Sequence, residues 1–253
     1  MPEPILVTSA LANALSADPG RPLVTFYDAR SGERIELSVK TFDNWVSKIA
    51  NLLGDELGFE LGQSIRVELA PHWLSTVIVV AAWATGLRLL PSGTPQLADV
   101  SIVGPQVLEP DRVGSVAGGV VIGCSLRPLG GPFLQPLPAG WLDFAREVPG
   151  QPDIMLSPSQ ISGEDVAVER VDGDATHTEL AQAGLRAAAR LGLEPGGRLI
   201  TDANPADSTE VVDALVAPLV TGSSVVLVAG ADAATRGHIA EQEQAGCSLW
   251  LDR

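Results

Sequence analysis

Between Glu169 and His177 the chain gathers six side chains able to do chemistry: Glu169, Arg170, Asp172, Asp174, Thr176 and His177. An arginine in a turn can grip a phosphate or carboxylate through two parallel N–H bonds. A hydroxyl and an imidazole can add donors, and carboxylates can recruit Mg²⁺ to phosphates already held by other groups. The local balance works against an anion site. Three carboxylates stand beside one guanidinium, and two like charges about 4 Å apart repel by roughly 4 kcal/mol at an effective dielectric of about 20. Arg170 is more simply expected to pair with Glu169 or Asp172, an exposed contact of little energetic weight. His177 is expected to pack at a helix start. Arg170, Thr176 and His177 remain the candidates for cofactor binding; no catalytic residue and no metal ligand is assigned.

Elsewhere the reactive residue types are scattered. His72, His177 and His238 are isolated, without a second histidine at helical ligand spacing. Gly114-Ser-Val-Ala-Gly-Gly119 lacks the Lys-Ser/Thr ending of a phosphate loop and reads as a connector. No Gly-x-Ser-x-Gly elbow occurs, which leaves a serine hydrolase without support. Ser157 and Ser162-Gly163 read as linker. Cys124 and Cys247 lie far apart with no metal-ligand spacing, a usage that suits a reducing compartment.

The elements that must position this stretch follow from its flanks. Val166-Ala-Val168 is a short apolar strand, and Asp172-Gly173 is a turn dipeptide. Thr176 followed by Glu179 is a capping box, opening a helix of strong helix formers from Leu180 to Arg190 that stops at Gly192. Upstream, residues 5–15 form a short amphipathic helix through Ile5, Leu6, Leu11 and Leu15. Pro22 to Asp28 and Glu33 to Ser38 make a hairpin around Ser31-Gly32. A helix opens at Thr41 with Trp45, Ile49, Leu52 and Leu53 on one face. There follow a strand over Ser64–Leu69, a buried helix over Trp73–Trp83 and a strand over Leu87–Leu90. In the less regular middle, Val100–Val103 and Gly119–Gly123 are apolar strands of parallel type, and Trp141–Glu147 is a short helix. Gln151–Ser162 is a linker or a loop hugging an edge. Strands recur at Arg198–Thr201 and Ser224–Val228, and His238 sits on a polar helix.

The last third echoes the first. Gly192-Leu-Glu-Pro-Gly196 follows Gly58-Phe-Glu-Leu-Gly62 at 192 − 58 = 134 residues, Thr176 follows Thr41 at 135, and Thr221-Gly222 follows Thr85-Gly86 at 136. Similar offsets at three points imply an internal repeat of two related α/β halves. Alternating helices and strands imply parallel sheets covered by helices. The expected organisation is one compact unit over 1–253, with a first half at 22–103, an irregular middle at 104–164 and a second half at 165–253.

These pieces resemble the N-terminal large domain of the adenylate-forming (AMP-binding, acyl-CoA synthetase) superfamily. Its opening hairpin, helix start, Gly-hydrophobic-x-x-Gly turn and Gly-Ala-x-x-x-Pro close are echoed by Thr41-Phe42, Gly58–Gly62 and Gly86-Leu-Arg-Leu-Leu-Pro91. The Thr-His and helix that follow its phosphate loop are echoed by Thr176-His177. The resemblance covers about 22 to 91 and about 165 to 245, and is narrower still to a short actinobacterial family of unassigned function. Abundant Ala and Gly, and arginine in excess of lysine, fit a high-GC genome. The superfamily's Ser/Thr/Gly-rich loop ending in Pro-Lys-Gly is not present before Thr176, the only lysines are Lys40 and Lys48, and Tyr27 is the only tyrosine. The resemblance with these departures implies a non-catalytic relic that binds a partner protein or small metabolite without turnover. The alternative is a nucleotide- or acyl-CoA-binding enzyme with reduced chemistry or residues supplied in trans. No cofactor is expected, and ATP, AMP and CoA are the ligands to test.

Composition bounds the partners. The 253-residue chain is 45% hydrophobic and 19% charged, enough to bury a large core. A formal charge of −15 leaves no basic surplus for nucleic acid. The first residues lack a basic, apolar leader pattern, and the longest apolar run, Val77–Ala84, is too short for a bilayer. A cytoplasmic protein without membrane association is expected.

Overall fold

A computed structural model describes residues 6–109 and 119–251. Ile5 and the Gly114–Gly118 part of the glycine-rich connector lie outside the described residues. The chain opens with α1 (Val7–Ala17), the hairpin β1 (Pro22–Asp28) and β2 (Glu33–Ser38), and α2 (Val39–Asn51). Next come β3 (Ser64–Glu68), α3 (Trp73–Thr85), β4 (Arg88–Leu89), β5 (Val100–Val103), β6 (Val120–Gly123), β7 (Leu142–Asp143) and α4 (Phe144–Glu147). The last third holds β8 (Val166–Val168), β9 (Ala175–Thr176), α5 (His177–Leu191), β10 (Arg198–Thr201), α6 (Ala217–Val220), β11 (Ser224–Ala229), α7 (Ala233–Gln242) and β12 (Cys247–Leu249).

Two mainly parallel sheets result, as the alternation of elements implied. The five-stranded sheet has the order β12-β10-β11-β1-β2, and the seven-stranded sheet β7-β6-β5-β3-β4-β8-β9. Only the hairpins β1–β2 and β8–β9 pair antiparallel among the named strands. Each hairpin precedes, in sequence, the strands of the other sheet. β1 joins β11, with Val24 opposite Val225, and β8 joins β4, with Leu89 opposite Val168. The stretches 22–103 and 165–253 therefore exchange their opening hairpins. Within each, the strand pairs β3–β4 and β10–β11 are adjacent and parallel.

α3 is the pivot. All of its residues are buried, which its apolar sequence requires of a helix without a polar face. It packs on α1 and α2, on β1 of one sheet and on β3 and β4 of the other. Trp83 is fully buried, and its indole N–H donates to the Ala167 carbonyl at 2.9 Å, tying α3 to β8. The paired turns also have a common construction. Thr85 and Thr221 each donate a hydroxyl to the carbonyl four residues back. Gly86 and Gly222 then adopt left-handed φ of 86° and 65°, a conformation that favours glycine.

Two expectations change, and a third is narrowed to one of its alternatives. The first α2 residue is Val39, and its cap is Ser38, whose hydroxyl accepts from the Thr41 amide at 3.1 Å; Thr41 lies inside the helix. The helix expected over Trp141–Glu147 begins only at Phe144, because Leu142 and Asp143 extend the sheet opposite Ile122 and Gly123, and the Asp143 carboxylate caps Ala145. The Gln151–Ser162 segment is an ordered loop lying against the α2 and α3 helices rather than a free linker. Asn51 donates to the Pro152 and Ile154 carbonyls and accepts from Leu156 N–H, while Lys48 pairs with Asp153 at 3.1 Å. No described helix is long and apolar enough to cross a membrane.

Candidate functional site

The β8–β9 turn is held from outside. Glu169 is 13% exposed and its carboxylate pairs with the Arg88 guanidinium at 2.8 Å. Arg170 Nε donates to the Ser208 carbonyl at 3.3 Å. The expected Arg170 pairing with Glu169 or Asp172 is replaced by these two longer-range contacts, because the parallel β4–β8 pairing brings Arg88 beside Glu169. Gly173 closes the turn at φ 128°, and Val171 at its tip is 93% exposed. A groove of about 390 Å³ runs past the turn, lined by Arg170 and Asp172 with Ser92, Thr94, Ser208 and Thr209. Thr176 and His177 do not line it. The Thr176 hydroxyl accepts from Glu179 N–H at 3.2 Å, and its own N–H donates to Glu179 Oε2 at 2.9 Å, so the capping box is complete. His177 has no exposed surface, and neither ring nitrogen has a hydrogen-bond partner. Burial lowers its pKa, with Asp165 opposing.

A larger cavity, about 640 Å³, opens at the carboxyl ends of β1, β10, β11 and β12. Open α/β sheets present ligand crevices at this edge. Local sequence sets each wall. Asp28 ends β1, where its carboxylate accepts from Arg30 N–H at 2.9 Å and from the Ser31 hydroxyl at 2.7 Å. Partial burial pushes the Asp28 pKa up, but the Ser31 hydroxyl and the turn amides outweigh it and hold the carboxyl below its ordinary range. Asp202, just past β10, accepts from Arg236 of α7 at 2.8 Å and from Leu251 N–H at 2.9 Å. Arg236 also donates to the Ala231 carbonyl and lies 4.7 Å over the Trp250 ring.

His72, after β3, forms part of the same wall. It is 4% exposed, its Nδ1 accepts from Leu74 N–H at 3.2 Å, and its ring sits 4.6 Å from Phe26. Burial pulls its pKa down to about 4, against a smaller upward pull from Asp28. The imidazole is therefore neutral near pH 7 and unsuited to general acid–base work there. Leu126 completes the wall at φ 53°, a strained value for a bulky residue. The lining includes no Ser, Thr, Cys, Lys or Tyr among the described residues. The lining offers charge and apolar contact to a small molecule.

Sequence reasoning singled out Arg170, which the structure brings to a groove with residues from the loop after β4 and from the loop after β10. It missed Asp28, Arg30, Asp202 and Arg236. The signal was positional: in a parallel sheet, residues just beyond strand ends face the crevice, and Asp28 and Asp202 each follow a β-type run.

No family model matches the chain. It is 35% identical over 243 residues to a TIGR03089 family protein of Mycobacterium tuberculosis, covering 92% of this chain and 94% of that one. Among solved structures it is similar to an acyl-CoA synthetase of Brucella canis, at 17% identity and TM-score 0.79 over 97% of this chain and 47% of that one. It is also similar to the anthranilate CoA ligase AuaEII, solved with anthranoyl-AMP, at 16% identity and TM-score 0.73 over 100% of this chain and 50% of the ligase. A third is acetoacetyl-CoA synthetase from Streptomyces lividans, at 18% identity and TM-score 0.76 over 97% and 42%. The chain spans half or less of the length of these solved structures. The likeness establishes the fold as that of the adenylate-forming large domain, and carries it through the middle segment that sequence alone matched poorly.

Proposed function

The chain belongs to the TIGR03089 family, and from that premise we propose that it is a binding protein on the adenylate-forming fold that takes a small molecule without adenylating it. The observation that carries this reading is the β8–β9 turn. Adenylation needs donors and cations pre-positioned around charge developing on the α-phosphate. The turn's one cation, Arg170, is directed to the Ser208 carbonyl, Glu169 is held by Arg88, and the other charges are Asp172 and Asp174. Lys40 and Lys48 are paired with Asp43 and Asp153. The cavity at the carboxyl ends of the five-stranded sheet supports the binding half of the reading, since its volume and mixed lining suit a small molecule.

A nucleotide- or acyl-CoA-binding enzyme is the second reading. The hydroxyls of Ser92, Thr94 and Thr209 around Arg170 favour it. Pyrophosphate exchange with a broad panel of carboxylic acids, with and without CoA at millimolar Mg-ATP, separates the two. The expected result is background exchange only. Exchange that disappears in Arg170→Ala overturns the non-catalytic reading.

A further inference from the structure

We propose that the cavity at the carboxyl ends of β1, β10, β11 and β12 binds a free α-amino acid with an apolar side chain, its carboxylate on Arg30 and its ammonium on Asp28. This site is separate from the groove at the β8–β9 turn. It names the ligand for the binding role proposed above, and rests on it.

The charges of the cavity are not equivalent. Arg236 is held by Asp202, by the Ala231 carbonyl and by the Trp250 ring. The Arg30 guanidinium makes no hydrogen bond or ion pair among the described residues. It is nevertheless positioned: its stem lies along Gly230, where a Cβ would fall 3.0 Å from Arg30 Cγ and Nε. Two residues before it, Asp28 uses one oxygen for Arg30 N–H and the other for Ser31. The Ser31 amide adds a third donor, and a carboxylate has about four lone-pair sites, so about one is left for a ligand. One turn thus presents a guanidinium and a carboxylate to the same cavity.

The ligand class follows from that pairing. A simple anion would meet Asp28, Glu33 and Asp202 against two arginines, on a protein of formal charge −15. A simple cation would meet Arg30. A net-neutral ligand with both charged groups attached to one carbon meets a partner for each. An α-amino acid carries its charges that way. Its side chain then faces Phe26, Leu126, Val228, Leu251 and the uncharged His72 ring. The cavity, at about 640 Å³, has room for such a side chain and for ordered water.

Calorimetry and ligand-observed NMR on the purified chain, with L-leucine, L-valine and L-phenylalanine, test the site. N-acetyl-L-leucine and L-leucinamide each remove one ligand charge. The expected result is saturable binding of at least one of the three amino acids, one per chain. Both leucine derivatives, and the variants Arg30→Gln and Asp28→Asn, should bind at least about tenfold more weakly, because each leaves a charge unpaired. Lys40→Gln, on α2 and outside both the cavity and the groove, should bind as the parent does. Should Asp28→Asn fail its melting check, Arg30→Gln and the two derivatives decide, since the Arg30 guanidinium makes no hydrogen bond among the described residues and its backbone bond to Asp28 is kept. No saturable binding at millimolar amino acid, or binding indifferent to Arg30→Gln or to N-acetylation, overturns the proposal and leaves the absence of adenylation standing. Pyrophosphate exchange that depends on leucine and is lost in Arg30→Gln supports the site and overturns the non-catalytic reading instead.

Discussion

Where β1 turns into β2, Asp28 takes its donors from its own turn, and the Arg30 guanidinium makes no hydrogen bond or ion pair among the described residues, beside a cavity of about 640 Å³. Where β8 turns into β9, Glu169 is held by Arg88 and Arg170 by Ser208, beside a groove of about 390 Å³. Both hairpins sit at the same place in their sheets, each pairing in parallel with the second strand of the partner stretch. Equal topology therefore does not fix what the turn charges do. Surroundings do: the first turn faces a cavity, whereas the second, two residues longer, is held by Arg88 of β4 and by Ser208 of the loop after β10.

The sharpest way to break this contrast is to release the second hairpin. Trp83→Ala removes a fully buried indole and its bond to Ala167, and should cost about 3–5 kcal/mol in urea unfolding. A loss below about 1 kcal/mol would mean that β8 is not anchored through α3.

Acid probes the first region. Burial holds the His72 pKa near 4, below its ordinary 6.5, so the unfolded state binds more protons between those values. The stability from keeping His72 neutral is whole above pH 6.5 and is lost as the pH falls toward 4, by about 3 kcal/mol. His177 shifts in the same direction at the second hairpin. His72→Asn keeps a cap acceptor for Leu74 and should flatten the pH 4–6.5 slope; an unchanged slope would assign it elsewhere.

The helix starts behind the hairpins allow a like-for-like test. Ser38→Ala and Thr176→Ala should each cost about 1 kcal/mol. Glu179→Ala should add a loss at α5 with no counterpart at α2, where Thr41 occupies the third helical position. Equal unfolding midpoints for Thr176→Ala and the parent would remove the box from the account.

The smallest effects sharpen the charge contrast itself. A double-mutant cycle on Arg88 and Glu169 should give a coupling of about 0.5–1 kcal/mol, whereas Arg30→Gln should leave stability within about 0.5 kcal/mol.

What the sequence disclosed was local. The Thr176–Glu179 box, the hairpin from Pro22 to Ser38 and the Thr-Gly helix ends depend on neighbours within a few residues, and pattern reads them. β7 was hidden because Leu142-Asp143 is extended only by pairing with β6. Arg170 was given the wrong partner because Arg88 approaches through sheet pairing, not sequence. The helix caps were misaligned for a similar reason: Ser38 and Thr176 are 176 − 38 = 138 residues apart, whereas matching threonines gives 135. The cavity was illegible because its walls come from strand ends scattered from Asp28 to Leu251.

The hairpin exchange also sets a timetable for the ribosome. β1 lies opposite β11, Val24 facing Val225, so 225 − 24 = 201 residues must be made after the first partner before the second exists. At about 5–20 residues per second, the nascent β1–β2 hairpin waits about 10–40 s with one edge open. Throughout that interval the apolar face of Leu23, Val24 and Phe26, buried in the finished protein, lacks its β11 neighbour. A chain so threaded matures last where it was made first.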